Sequence, residues 1–67
     1  MGETRFQDYV LLKHIDWFGR PIPAGTIYKQ VTNDCWHPTI DGAQCPNLAV
    51  TFMTVRANDN YFLAIQR

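Results

Sequence analysis

Serine is absent from all 67 residues of this chain, which removes serine-nucleophile chemistry, and there is no glycine-rich loop to cradle a phosphate. Blocks of like charge are missing too. Six Lys and Arg balance six Asp and Glu for a formal net charge of zero, so long-range attraction to phosphate backbones is weak. The same neutrality lowers colloidal stability and favours association. No apolar run approaches the roughly 18 residues of a membrane span, and no basic start leads into an apolar signal core. The expectation is a soluble, cytoplasmic protein with no membrane partner.

Cysteine is scarce. Cys35 and Cys45 enclose "WHPTIDGAQ", and a disulfide between them would contribute roughly 2–3 kcal/mol by restricting the unfolded chain. Hairpin geometry argues against it: if Asp41-Gly42 is a two-residue turn, Cys45 lies opposite Pro38, with Cys35 three positions further out. Two reduced, mostly buried thiols are expected. Cys35, His37 and Cys45, with His14 or Asp34, also raise the question of zinc, but no C-x-x-C pair occurs and structural sites use four well-placed ligands. Nothing identifies an oxyanion site beside a Cys-His pair. No metal, cofactor or enzymatic activity is expected.

What is present is apolar. The hydrophobic share of 46% against 18% charged describes a folded globule rather than a disordered tail. Residues 1–67 make one domain, at a size where a core rarely contributes more than roughly 3–5 kcal/mol of net stability. Gln7 to Ile15 reads as a first strand, with a short, poorly capped helix as the competing reading. In "DWFGRPIPAG", two prolines and two glycines predict a structured turn, with Pro23 in a first central position, from which Thr26 to Val31 leaves as the second strand. Thr32 to Asn47 reads as a long loop or a minimal hairpin. Leu48 to Arg56, "LAVTFMTVR", is the clearest strand, closing a hairpin with Tyr61 to Gln66 across the turn Ala57 to Asn60. The fold class that follows is all-β: a small SH3-like barrel or a curled antiparallel sheet of four to five strands.

The stretch "DYVLLKHIDWFGRPIPAGTIYKQ", Asp8 to Gln30, resembles the opening of small SH3-like barrels, in particular short phage-encoded proteins with an "IPAGT"-type turn before the second strand. The resemblance implies an SH3-like fold, and a role as a virion accessory component or as a modulator (inhibitor) of a host protein in the host cytoplasm.

Both sheet faces carry apolar residues. Tyr9, Leu11 and Ile15 lie on one side of the first strand, Val10 and Leu12 on the other; in the expected last hairpin, Val55 would face Phe62 and Phe52 would face Ile65. Either a closed barrel absorbs these as rim contacts, or a partner or second copy covers them. Trp17-Phe18 and Trp36-His37 stand outside the expected strands. Each tryptophan is either a plug for an open barrel end or a contact residue of the kind that supplies interface energy. The candidate partner-binding residues are Trp17, Phe18, Trp36 and His37, followed by Tyr28 and Arg20, in a non-enzymatic protein-binding module with homodimerisation as a candidate state. The alternative is a nucleic-acid-binding small β-barrel, in which Arg5, Arg20, Lys29, Arg56 and Arg67 would converge beside Tyr28 or Tyr61.

Overall fold

The computed structural model of the chain describes residues 6–65. In order, these form β1 (Asp8–Leu11), β2 (Ile15–Trp17), β3 (Arg20–Ile22), β4 (Ile27–Thr32), β5 (Cys35–Ile40), β6 (Ala43–Gln44), a 3-10 turn (Pro46–Leu48), α1 (Phe52–Ala57) and β7 (Phe62–Ile65). Five strands build an antiparallel sheet in the order β6-β5-β4-β1-β7, and β2 and β3 form a separate ribbon. The fold is all-β apart from the one short helix. It takes the open-sheet form: β6 and β7 are the two edges of the main sheet, which does not close into a barrel.

The expected first strand is split. Leu11 is pinned on its β4 side, its N–H donating to Thr26 O and its carbonyl accepting from Gly25 N, at 2.9 and 2.7 Å. Leu12 to His14 then leave the sheet, exposed, so that β2 starts afresh at Ile15. The turn before β4 also sits one residue later than expected. Thr26 N–H and its hydroxyl both donate to Pro23 O, which makes Pro23 the first residue of the turn and places Gly25, at φ 92°, where a positive φ is needed. Pro21 sits opposite Asp16 in the ribbon, beside the closing Trp17 and Arg20 pair, so its missing donor points away from β2.

The region read as a loop or minimal hairpin holds the six-residue β5. Asp41 and Gly42, at φ 54° and 81°, make the two-residue turn to β6, and Cys45 N–H donates to Pro38 O at 2.9 Å. Cys45 is therefore opposite Pro38, as the hairpin argument required. Cys35 lies on the other face of β5, and both thiols are free and half-buried rather than mostly buried. Pro38 fits within a sheet strand because Tyr28, its partner, directs its backbone groups to β1, while Pro38 faces the two-residue β6.

Leu48 to Arg56 is not a strand. Val50 makes an isolated bridge to Trp36, with both N–H···O distances at 2.9 Å, and the chain then turns into α1. Thr51 caps the helix by accepting from Thr54 N, and the carboxylate of Asp34, at the β4–β5 turn, accepts from Phe52 N at 2.9 Å. Two oxygen acceptors at a helix start outweigh the β propensity of Val, Thr and Phe. The expected terminal hairpin therefore does not form, and neither do its Val55–Phe62 and Phe52–Ile65 pairs. β7 runs antiparallel to β1 instead, with Leu11 opposite Phe62 and Val10 opposite Leu63.

Directly opposed residues share a sheet face. One face carries Leu11, Tyr28, Trp36 and Phe62, which with Ile22, Leu48, Val50 and Val55 form the buried cluster. The aromatic rings meet edge to face, Tyr28 against Phe62 at 5.3 Å and Tyr9 against Trp36 at 5.7 Å between centroids. The ribbon, the 3-10 turn and α1 lie over this face. Along the opposite face Val10, Ile27 and His37 are half-buried while Lys29 and Leu63 are exposed. A polar seam closes one end of the sheet: Gln30 N donates to Asp8 Oδ1 at 3.1 Å, Gln7 Nε2 to Ile65 O at 2.6 Å, and the Trp36 indole N–H to Gln7 O.

Candidate functional site

The ribbon β2–β3 carries three of the six candidate contact residues. Trp17 pairs with Arg20, and Phe18-Gly19 forms the two-residue turn between them at φ 53° and 74°. Two successive positive φ values define a turn that favours Asn-Gly or Asp-Gly. Gly19 suits its position. Phe18 does not: a bulky residue there carries a strain of roughly 1–2 kcal/mol, and its ring stands 75% exposed. It touches the half-buried Trp17 edge to face at 5.2 Å, and the Trp17 indole N–H donates to Ala49 O at 3.4 Å. Trp17 is thus anchored to the segment leading into α1.

Below the ribbon lies a groove of about 190 Å³. Its floor is Val50 and Phe62, and its apolar walls are Ile15, Trp17 and Tyr61. Asp16, Thr54 and Asn58 add polar groups. That volume falls below the roughly 300–1,000 Å³ of small-molecule sites and suits one or two inserted side chains.

The other candidates are dispersed. Tyr28 is fully buried, its hydroxyl has no hydrogen-bond partner among the described residues, and burial pushes its pKa up to about 12. Trp36 is 2% exposed and belongs to the core, stacked against Phe52 at 6.2 Å. Neither offers surface to a partner, so the contact reading of these two is corrected: large aromatics are what a small core needs most. His37 is half-buried on the face opposite Trp36, paired with Lys29, and its Nδ1 has no partner among the described residues. Trp17, Phe18 and Arg20 remain together. Of the other lining residues, Thr54 and Asn58 were not named from sequence, because they lie in or beside a helix read as strand; Ile15 was named only as an apolar residue of the first strand and Tyr61 only for the nucleic-acid alternative.

Lys13 lies 5.4 Å from the centre of the Tyr61 ring and Arg56 5.6 Å from that of Phe52, while Tyr28 is enclosed. Arg5 and Arg67 lie outside the described residues. Among the described residues no three His, Cys, Asp or Glu side chains are grouped to hold a metal ion, and no helix is long and apolar enough to cross a membrane. Compared with known proteins, the chain matches no family model, no curated protein and no solved structure.

Proposed function

We propose that the chain is a non-enzymatic protein-binding module whose contact site is the tip of the β2–β3 ribbon and the groove beneath it. Phe18 anchors the partner, Trp17 forms the wall, and an apolar side chain of the partner enters between Trp17 and Tyr61. Arg20, exposed at the end of the ribbon, meets the polar rim. The observation that carries this reading is Phe18 itself. A ring held in a left-handed conformation and 75% exposed costs folding energy and adds nothing to the core, a combination that clusters at ligand clamps. The resemblance to short phage-encoded barrels directs the search for the partner toward a host protein that the module modulates.

Selection from a random peptide library on the immobilised protein tests the site, with the bound peptides re-measured by Trp fluorescence. Enriched peptides are expected to carry an aromatic or large aliphatic residue and to bind Phe18→Asn roughly tenfold or more weakly, the loss of one hot-spot contact. Equal binding by Phe18→Asn, or no enrichment, would reject the site.

A further inference from the structure

The two edges of the main sheet are unequal. β6 is two residues long and follows a tight turn, so it offers little to pair with. β7 is four residues, Phe62-Leu63-Ala64-Ile65, with no charge, proline or bulge. Those are the devices by which an edge strand is ordinarily kept from pairing with another chain.

The hydrogen-bond phase shows which groups β7 leaves open. Leu12 N–H donates to Tyr61 O at 2.7 Å. Alternation along an antiparallel ladder then turns the backbone groups of Leu63 and Ile65 toward Val10 and Asp8, their register partners. Phe62 and Ala64 present their N–H and C=O groups to the free edge, and no described residue outside the sheet bonds them.

From this we infer that β7 pairs antiparallel with β7 of a second copy, about a two-fold axis through Leu63, to give a continuous sheet across the dimer. An antiparallel edge is complementary to itself, which a two-fold interface requires. In this register the N–H and C=O of Phe62 meet those of the partner's Ala64, and the reverse, while Leu63 faces its own copy in the close, non-hydrogen-bonded position. Leu63 is 53% exposed. It ends the cross-strand row Ile27–Val10–Leu63 on the open face, so pairing joins two short apolar rows into one. On the core-facing side the large Phe62 meets the small Ala64. Zero formal net charge leaves no overall repulsion between copies.

Sedimentation of the full chain over a concentration series is the test, alongside Leu63→Lys, Phe18→Asn and, in a Cys35→Ala/Cys45→Ala background, Leu63→Cys. A monomer–dimer equilibrium is expected. Leu63→Lys should weaken it roughly tenfold or more, since a lysine pair replaces the leucine pair, with an unchanged circular dichroism spectrum; Phe18→Asn should leave it as it is. Mild oxidation should crosslink the Leu63→Cys variant into a dimer faster than a Phe18→Cys control, a readout that does not depend on how well Leu63→Lys folds. A wild-type chain that stays monomeric at its highest soluble concentration, a dimer indifferent to Leu63→Lys, or crosslinking no faster than the control overturns the pairing. Because the peptide site lies on the ribbon, that reading and this one fail separately.

Discussion

Phe18 and Tyr28 are aromatic residues placed against ordinary preference, in opposite ways. Phe18 is exposed in a left-handed turn position. Asparagine tolerates that conformation, so Phe18→Asn is expected to raise stability by about 1 kcal/mol in urea denaturation while weakening peptide binding roughly tenfold or more. A stability loss would mean that the ring packs more than it exposes. Tyr28 is buried with a hydroxyl that has no partner among the described residues. Deleting that oxygen in Tyr28→Phe is expected to stabilise by about 1 kcal/mol, because a buried, unsatisfied polar atom costs roughly 1–3 kcal/mol. A pH signature accompanies it. The folded state holds the Tyr28 proton up to about 12, whereas the unfolded chain releases it near 10, so the unfolded state binds fewer protons between those values and stability falls as pH rises. The loss amounts to roughly 3 kcal/mol once both states are ionised. Below pH 10 the contribution is fully present. Thermal denaturation from pH 9 to 12 should show the decline in the wild type and less of it in Tyr28→Phe.

At the scale of elements, α1 is the part whose identity depends on distant residues. Six residues make less than two helical turns, too short to persist alone in water, and the helix exists because its start is capped and Val55 is buried. Asp34 supplies one of those caps from the β4–β5 turn. Asp34→Ala is therefore expected to cost about 1 kcal/mol and Asp34→Asn less, since the amide oxygen still accepts from Phe52 N. Equal losses for both would show that the carboxylate charge, not the hydrogen bond, is what the helix start uses. This element was also the least legible from sequence. "LAVTFMTVR" has the β-branched content of a strand, and the Thr51 cap looks like any other threonine until Asp34 and Trp36 are brought beside it. By contrast, Asp41-Gly42 was legible: a two-residue turn has its own local chemistry, and it set the register that separates Cys35 from Cys45.

For the whole molecule the decisive quantity is the size of the core. Among the described residues eight buried hydrophobic side chains form it, and a domain of this size has roughly 3–5 kcal/mol of net stability. Leu11, 1% exposed at the end of β1, the strand between β4 and β7, is expected to cost roughly 3 kcal/mol when changed to Ala. That change should leave a sizeable unfolded fraction at 25 °C by circular dichroism; a variant as cooperative and stable as the wild type would mean that the core is larger than its buried cluster. The candidate site was half legible at this scale. Trp17, Phe18 and Arg20 are neighbours in sequence and stayed together in space, whereas Trp36 and Tyr28 were drawn inward because few other side chains could fill the centre of so small a sheet.

The sequence by itself determined the strand-rich character, the zero formal net charge and the two-residue turn at Asp41-Gly42, and it marked the reversal before β4 to within one residue, because propensity, charge and turn chemistry act over a few residues. Only the tertiary structure decided that β7 pairs with β1, that residues 52 to 57 coil, that the sheet stays open, and which aromatic rings face water. Each of those outcomes depends on contacts between residues far apart in the chain, where burial and the satisfaction of backbone hydrogen bonds outweigh local preference.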